Sequence, residues 1–382
     1  MRKGWEYKRF DEVFDLQMGK TPDRKNPEYF GGNNVWVSIR DLGDKEIADS
    51  NEHITDLAVS NSNIRKVKKG TVIMSFKLTV GKCGIAATDL YTNEAIMAFN
   101  TKESFDINSS FLYYYLLCYH WVGSNKAVMG ITLNKATISK QYISIPPKST
   151  QLSIVSELDK INELIRLKKE QLKDFDNLAQ SLFYEMFGDP VENEKGWEVK
   201  KLGEVGELAR GVSKHRPRNA PELLGGSMPL IQTGDVANSD FYITKYSSTY
   251  SKLGVEQSRV WEAGTLCITI AATIGKCAIL GFTACFPDSV VGYKPNNEAN
   301  AIYMYFIFKN MQKMLEEFAP GVAQKNINLK ILSNLSFPLP PLSLQRLFAQ
   351  RIEQIEREKS EVQKSIQDLE TLLASRMQYW FE

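Results

Sequence analysis

Hydrophobic residues follow two different spacings along this chain, and the spacings take turns. Up to the proline pair Pro146-Pro147, apolar residues come in short runs with a period of mostly two. Examples are Thr71 to Phe76 and Lys82 to Ala86, β-rich and punctuated by glycine, which predict strands. The run Phe111–Leu117 predicts a buried helix after a strand. Beyond the prolines the spacing becomes 3.5. Ile154, Leu158, Ile161, Ile165, Leu172, Phe175, Ala179, Leu182 and Met186 step by four and three, with Lys168 the polar exception. Short runs then return, at Thr265 to Ile270 and Lys276 to Leu280, with a helix over Ile302–Ile307. After Pro340-Pro341 the 3.5 spacing resumes through Phe348, Ile352, Ile355, Val362, Ile366, Leu369, Leu373 and Trp380, interrupted by Lys359 and Arg376. Sustained a/d spacing of this kind predicts coiled-coil helices, each about 35 residues or about 50 Å long. Ser149 and Ser343 stand where an N-cap is expected.

The alternation reflects a duplication. GWEYKRFDEVFDLQMGK from Gly4 returns as GWEVKKLGEVGELARGV from Gly196, and GTVIMSFKLTVGKCGIA from Gly70 returns as GTLCITIAATIGKCAIL from Gly264. Gln151 and Gln345, each just past a proline pair, keep the same offset of 194. Repeat units of solenoids run to roughly 20–50 residues, so this is a doubled domain. The predicted class is α+β: a first domain (1–148), a central helix (149–188), a second domain (189–342) and a C-terminal helix (343–382). A lone helix with such a stripe would leave it in water, so the two helices are expected to pair. Antiparallel pairing is favoured, because it needs no return of the chain along the helix. It relates the domains by a pseudo-two-fold axis and sets them apart at opposite ends.

Composition excludes more than it selects. Hydrophobic residues make up 43% of the chain, which argues against disorder. No run approaches the roughly 20 apolar residues of a membrane span, and MRKGWEYKRF lacks the apolar stretch of a secretory signal, so a cytoplasmic protein is expected. The five cysteines are odd in number without CxxC spacing and read as buried thiols of a reducing compartment. Residues 1–148 carry 20 Lys+Arg against 16 Asp+Glu, whereas 189–342 carry 16 against 15; the positive surplus therefore sits on the first domain.

Catalytic signatures are scarce. There is no P-loop, no GxGxxG after a strand, no HExxH and no GxSxG, and the three histidines occupy unrelated repeat positions. Asp189-Pro190 followed by Glu198-x-Lys200 imitates a nuclease metal site, but Glu6-x-Lys8 in the other copy has no matching acid. What remains is suited to binding. Each copy has a Gly-initiated basic loop: Gly19 to Lys25 with Lys20, Arg24 and Lys25, and Gly211 to Arg218 with Lys214, Arg216 and Arg218. Such side chains can meet phosphates or guanine edges, though solvated loops look the same. Lys82 and Lys276 share one turn, with Lys77 beside it in the first copy only. The loops around Asn134-Lys135 and Gln324-Lys325-Asn326 carry amides suited to adenine. Arg40 and Gln232 complete the candidate DNA-contacting set. No metal ligands are assigned.

In order and in repetition, these motifs resemble the specificity subunit of a Type I restriction-modification enzyme, over the whole chain. The Gly-Lys-Thr-Pro loop, Trp36 to Leu42, Ser75 through Lys82, Asn93-Glu94-Ala95-Ile96, the aromatic helix and the proline pair with Gln before a heptad helix carry the likeness. The second copy departs, with Gly-Val-Ser-Lys in its loop. The resemblance implies two target-recognition domains held apart by two antiparallel helices, each domain reading one half of a bipartite site in double-stranded DNA. It implies docking to two modification subunits that bind S-adenosylmethionine and methylate adenine, and through them to restriction subunits using ATP and Mg. No cofactor is expected in this chain, which would catalyse nothing itself. The alternatives are a coiled-coil scaffold carrying protein- or carbohydrate-binding domains, and the metal-dependent nuclease above.

Overall fold

The computed structural model describes residues 2–122, 125–127, 130–271, 274–317 and 328–382. The chain divides into two compact units, residues 1–169 with 364–382 and residues 170–363.

In the first unit the central sheet has five strands, in the order Phe14–Met18, Ile96–Thr101, Val72–Ser75, Cys83–Ala86 and Glu46–Ile47. The last pairing is parallel and the others antiparallel. In the second unit the order is Gly206–Arg210, Val290–Pro295, Leu266–Thr269, Cys277–Leu280 and Tyr242–Ile243, again with only the last pairing parallel. The period of two is real, but it divides residues between two cores rather than between core and solvent. Val72 and Met74 pack with the aromatic helix Ser109–Cys118. The intervening Ile73 packs with Val37, Leu42 and Ile47 on the other face. Leu266 and Ile268 join the helix Ala301–Glu317, and Cys267 joins Trp261 and Phe286. A sheet covered on both faces selects continuous apolar strands, as Val72–Ser75 and Leu266–Thr269 show.

The long helices run Lys148–Phe187 and Leu342–Phe381, 40 residues each, or about 60 Å. Each starts two residues earlier than a cap at Ser149 or Ser343 would place it, because neither serine caps its helix. The carbonyls of Pro147 and Pro341 already accept the first helical N–H groups, from Thr150 at 2.9 Å and Gln151 at 3.0 Å, and from Leu344 at 2.9 Å and Gln345 at 3.2 Å. Both serines therefore lie inside the first turn. Gln151 and Gln345 are buried in the turn that follows.

In each unit the helix segments pair antiparallel. In the first, Glu157 receives Arg376 and the Trp380 indole N–H, while Lys169 meets Glu370 at 2.9 Å. Ile154, Leu158, Ile161, Ile165 and Ile366 are buried there; Leu369 and Leu373 are half-buried. In the second unit Ile352, Ile355 and Val362 are buried, and Leu172, Phe175 and Leu182 only partly. Phe183 and Phe187 fill that space instead, against Tyr303, Phe306 and Phe348. Lys359 occupies a core position and is held by Asp176 at 2.8 Å and Glu356 at 3.0 Å. Burial works against its ammonium, but those two carboxylates outweigh it and keep the group above the ordinary lysine range. No described helix is long and apolar enough to cross a membrane.

Candidate nucleic-acid interface

In both copies the first sheet strand hands over to the basic loop at a glycine. The Gly19 N–H donates to the Ile96 carbonyl at 3.1 Å, and the Gly211 N–H to the Val290 carbonyl at 2.9 Å. A Cβ on Gly19 would lie 2.2 Å from the Asn93 carbonyl oxygen, and on Gly211 2.0 Å from that of Phe286. Only glycine lets the chain leave the sheet so close to the neighbouring turn. The loop then starts from a fixed point. The Lys20 N–H donates to the Thr92 carbonyl at 2.8 Å, and the Trp36 indole N–H to the Lys20 carbonyl at 3.2 Å. The Lys20 side chain stays exposed.

In the first copy Arg24, Arg40 and Lys77 gather around two acids. Arg24 grips Glu52 with both terminal nitrogens, at 2.6 and 2.9 Å, and its guanidinium lies over Phe30 and Trp36. That hydrogen bond, helped by the charges of Arg24 and Arg40, outweighs burial and holds the Glu52 carboxyl below its ordinary range. Glu94 accepts the Thr21 hydroxyl. Burial raises its carboxyl, but the Thr21 bond, its own N–H and the charges of Lys77 and Arg24 prevail and lower it. Lys20, Lys25 and Lys82 are exposed and form no ion pair among the described residues. Asn134 is committed locally: its side-chain oxygen accepts the Thr137 N–H at 2.9 Å, capping the helix that Lys135 begins. The preceding loop holds a short ribbon, Asn125–Ala127 paired with Gly130–Thr132.

The second copy holds its loop with different groups. Gln257 accepts the Lys214 N–H at 2.6 Å and the His215 N–H at 3.0 Å, leaving the lysine side chain exposed. Arg216 folds back on the loop, donating to the Ser213 carbonyl at 2.6 Å and the His215 carbonyl at 2.8 Å. Arg218 pairs with Asp288 at 2.7 Å. Gln232 precedes a helix turn through its N–H on Asp235, 2.8 Å, as the Ser38 N–H does on Asp41 at 2.7 Å. Lys276 is exposed and unpaired among the described residues. Gln324, Lys325 and Asn326 lie outside the described residues.

Sequence reasoning found the cations and missed the groups that hold them: Glu52, Glu94, Gln257 and Asp288. A signal existed for two of these, since Glu94 and Asp288 stand 194 positions apart, the offset of the repeat. The nuclease imitation dissolves. Lys200 pairs with Glu298 at 2.6 Å, with Glu198 further off at 3.7 Å. Asp189 accepts the Val191 N–H at 2.7 Å in a turn. Among the described residues no group of three His, Cys, Asp or Glu could hold a metal ion.

Two glycine-anchored cationic loops on one duplicated scaffold leave the family to be decided by comparison. The family model for the type I restriction modification DNA specificity domain matches residues 2–174 and again residues 194–371. The chain belongs to this family. It is a specificity subunit with two DNA specificity domains, and specificity subunits recognise DNA without being catalytic. The type I restriction enzyme MjaIX specificity subunit of Methanocaldococcus jannaschii is 25% identical over 378 residues, covering 91% of this chain and 85% of its own length. The HindI specificity subunit of Haemophilus influenzae is 25% identical over 163 residues, covering 41% of this chain and 35% of its own. In fold, the subunit matches a chain from a structure on complex assembly and conformational transition of the type I R-M system. The TM-score is 0.66 at 19% identity, over all of this chain and 98% of that one. The type I S subunit from M. genitalium gives a TM-score of 0.56 at 14% identity, over 98% and 95% of the two chains. Membership implies DNA, methyltransferase and restriction subunits as partners. It sets aside the scaffold and nuclease readings.

Proposed function

We propose that each copy reads one half of a bipartite site in double-stranded DNA, and that the helix pair sets the spacer between the half-sites. The observation that carries this reading is the pairing of Gly19 with Gly211: the same anchor, on the same strand junction, launches loops of different sequence. One scaffold carrying two different readers suits a target with two different halves. Lys20, Lys25, Arg40, Lys82, Lys135, Lys214 and Lys276 are the side chains we assign to DNA most directly. Arg24, Arg216 and Arg218 reach it only by exchanging or sharing their present partners, Lys77 reaches it from beside Glu94, and Asn134, Gln232, Gln324, Lys325 and Asn326 complete the assignment. The helices dock two modification subunits, which supply S-adenosylmethionine and methylate adenine. Restriction subunits using ATP and Mg attach through them, and the complex works in the cytoplasm. Mapping of methylated adenines in a host genome tests the reading: two unlike half-sites separated by a fixed run of unread bases are expected. A single uninterrupted motif would contradict it.

A further inference from the structure

Glu94 and Asp288 occupy one repeat position, 194 residues apart, just past the turn against which the loop glycine packs. Each reaches across to the basic loop of its own copy, but with different chemistry. Glu94 takes the Thr21 hydroxyl and feels the charges of Arg24 and Lys77. Asp288 takes Arg218 at 2.7 Å, with both side chains partly exposed. An acid beside cations meant for DNA looks counterproductive, because it would face the phosphates. An arginine, however, has five N–H donors in a fixed fork. One edge can stay on a carboxylate while the other meets guanine O6 and N7. A phosphate contact differs in charge: whichever edge the cation offers, the phosphate brings a second negative charge beside the acid, whereas the guanine edge is neutral.

We propose that Glu94 and Asp288 are specificity-determining positioning residues, each holding the basic loop of its copy and penalising contacts to phosphate alone. The inference rests on the reading of these loops as DNA-facing. Sequence-independent binding is almost wholly electrostatic, so an acid at this place removes more from random DNA than from the cognate site. Specificity arises here by weakening the wrong complex.

The test uses the full chain and fluorescence anisotropy, with a mixed-sequence duplex and a duplex carrying the methylated motif, across a KCl series. Asp288→Asn and Glu94→Gln should each bind the mixed-sequence duplex more tightly. Each should steepen the log–log salt dependence by about 1, the equivalent of one recovered phosphate contact, and lower discrimination at one half-site. A merely structural role would move affinity the other way, because a disordered loop binds less. Asp288→Glu should restore discrimination. Lys214→Ala separates the two levels of the argument. If it flattens the salt dependence while neither acid variant steepens it, the loop faces DNA and the role given to the acids is wrong. If Lys214→Ala also changes nothing, the DNA-facing reading fails and the proposal with it.

Discussion

Gln345 shows how much of this fold hangs on one buried amide. Its side-chain oxygen accepts the Asn300 N–H at 2.9 Å, and its NH2 donates to the carbonyls of Glu298 at 3.1 Å and Pro340 at 2.8 Å. It thereby ties the start of the second long helix to the loop that opens the helix Ala301–Glu317. Gln345→Met keeps the volume and removes all three bonds. Leaving one buried polar group unsatisfied costs about 1–3 kcal/mol. The Asn300 N–H bears that cost in full, whereas each carbonyl retains a second lone pair. We expect a loss of about 2–4 kcal/mol. Gln151 makes the same bonds in the other unit, to Asn108 N–H at 2.8 Å, Asp106 carbonyl at 3.2 Å and Pro146 carbonyl at 3.1 Å. Gln151→Met should cost a similar amount, and the two losses should add because the sites share no partners. Urea unfolding followed by fluorescence checks this, with midpoints read separately if the units unfold in two steps. A loss below about 0.5 kcal/mol for both variants, the size of an ordinary surface substitution, would refute the clamp.

Other expectations follow from the loops and helices. Lys214→Ala should lower the slope of log affinity against log salt by about 1, whereas Arg216→Ala should loosen the loop it holds together; equal slope changes for both would contradict the geometry. Gly211→Ala drives a methyl group into the Phe286 carbonyl, so methylation assays should show recognition lost at the second copy's half-site and kept at the first's. Seven residues inserted after Asp176 and seven after Glu358 keep facing positions in register, since Asp176 meets Lys359. Each helix then grows by about 10 Å, equivalent to about three base pairs, and the unread spacer in the methylated motif should lengthen accordingly; an active enzyme with an unchanged spacer would show that the helices are not the ruler.

The duplicated plan was legible because it rests on spacing. The 3.5-residue steps from Ile154 and from Phe348 mark both long helices, and the apolar runs at Val72 and Leu266 mark the middle of each sheet. The period-two signal predicts strands but not two cores, since a run such as Val72-Ile73-Met74 does not say which neighbours cover each face. Phe183 and Phe187 escape the heptad pattern because each stands one place past a seam position, Leu182 or Met186, and packs both on Phe348 of the other long helix and on the helix Ala301–Glu317. A serine cap predicts each helix start two residues late, because a proline carbonyl takes that role. In the loops, the lysines and arginines are visible in sequence, but their partners are not. Glu52 lies 28 residues from Arg24, and Asp288 lies 70 from Arg218, distances over which local pattern says nothing.

The two copies are expected to read separately, one half-site each. Replacing residues 189–342 with the corresponding domain of another family member, and mapping methylated adenines in the strain that carries the hybrid, tests it most directly. One half of the motif should change to the donor's while the half read by residues 1–148 stays as it was. A change in both halves, or in neither, would contradict the account.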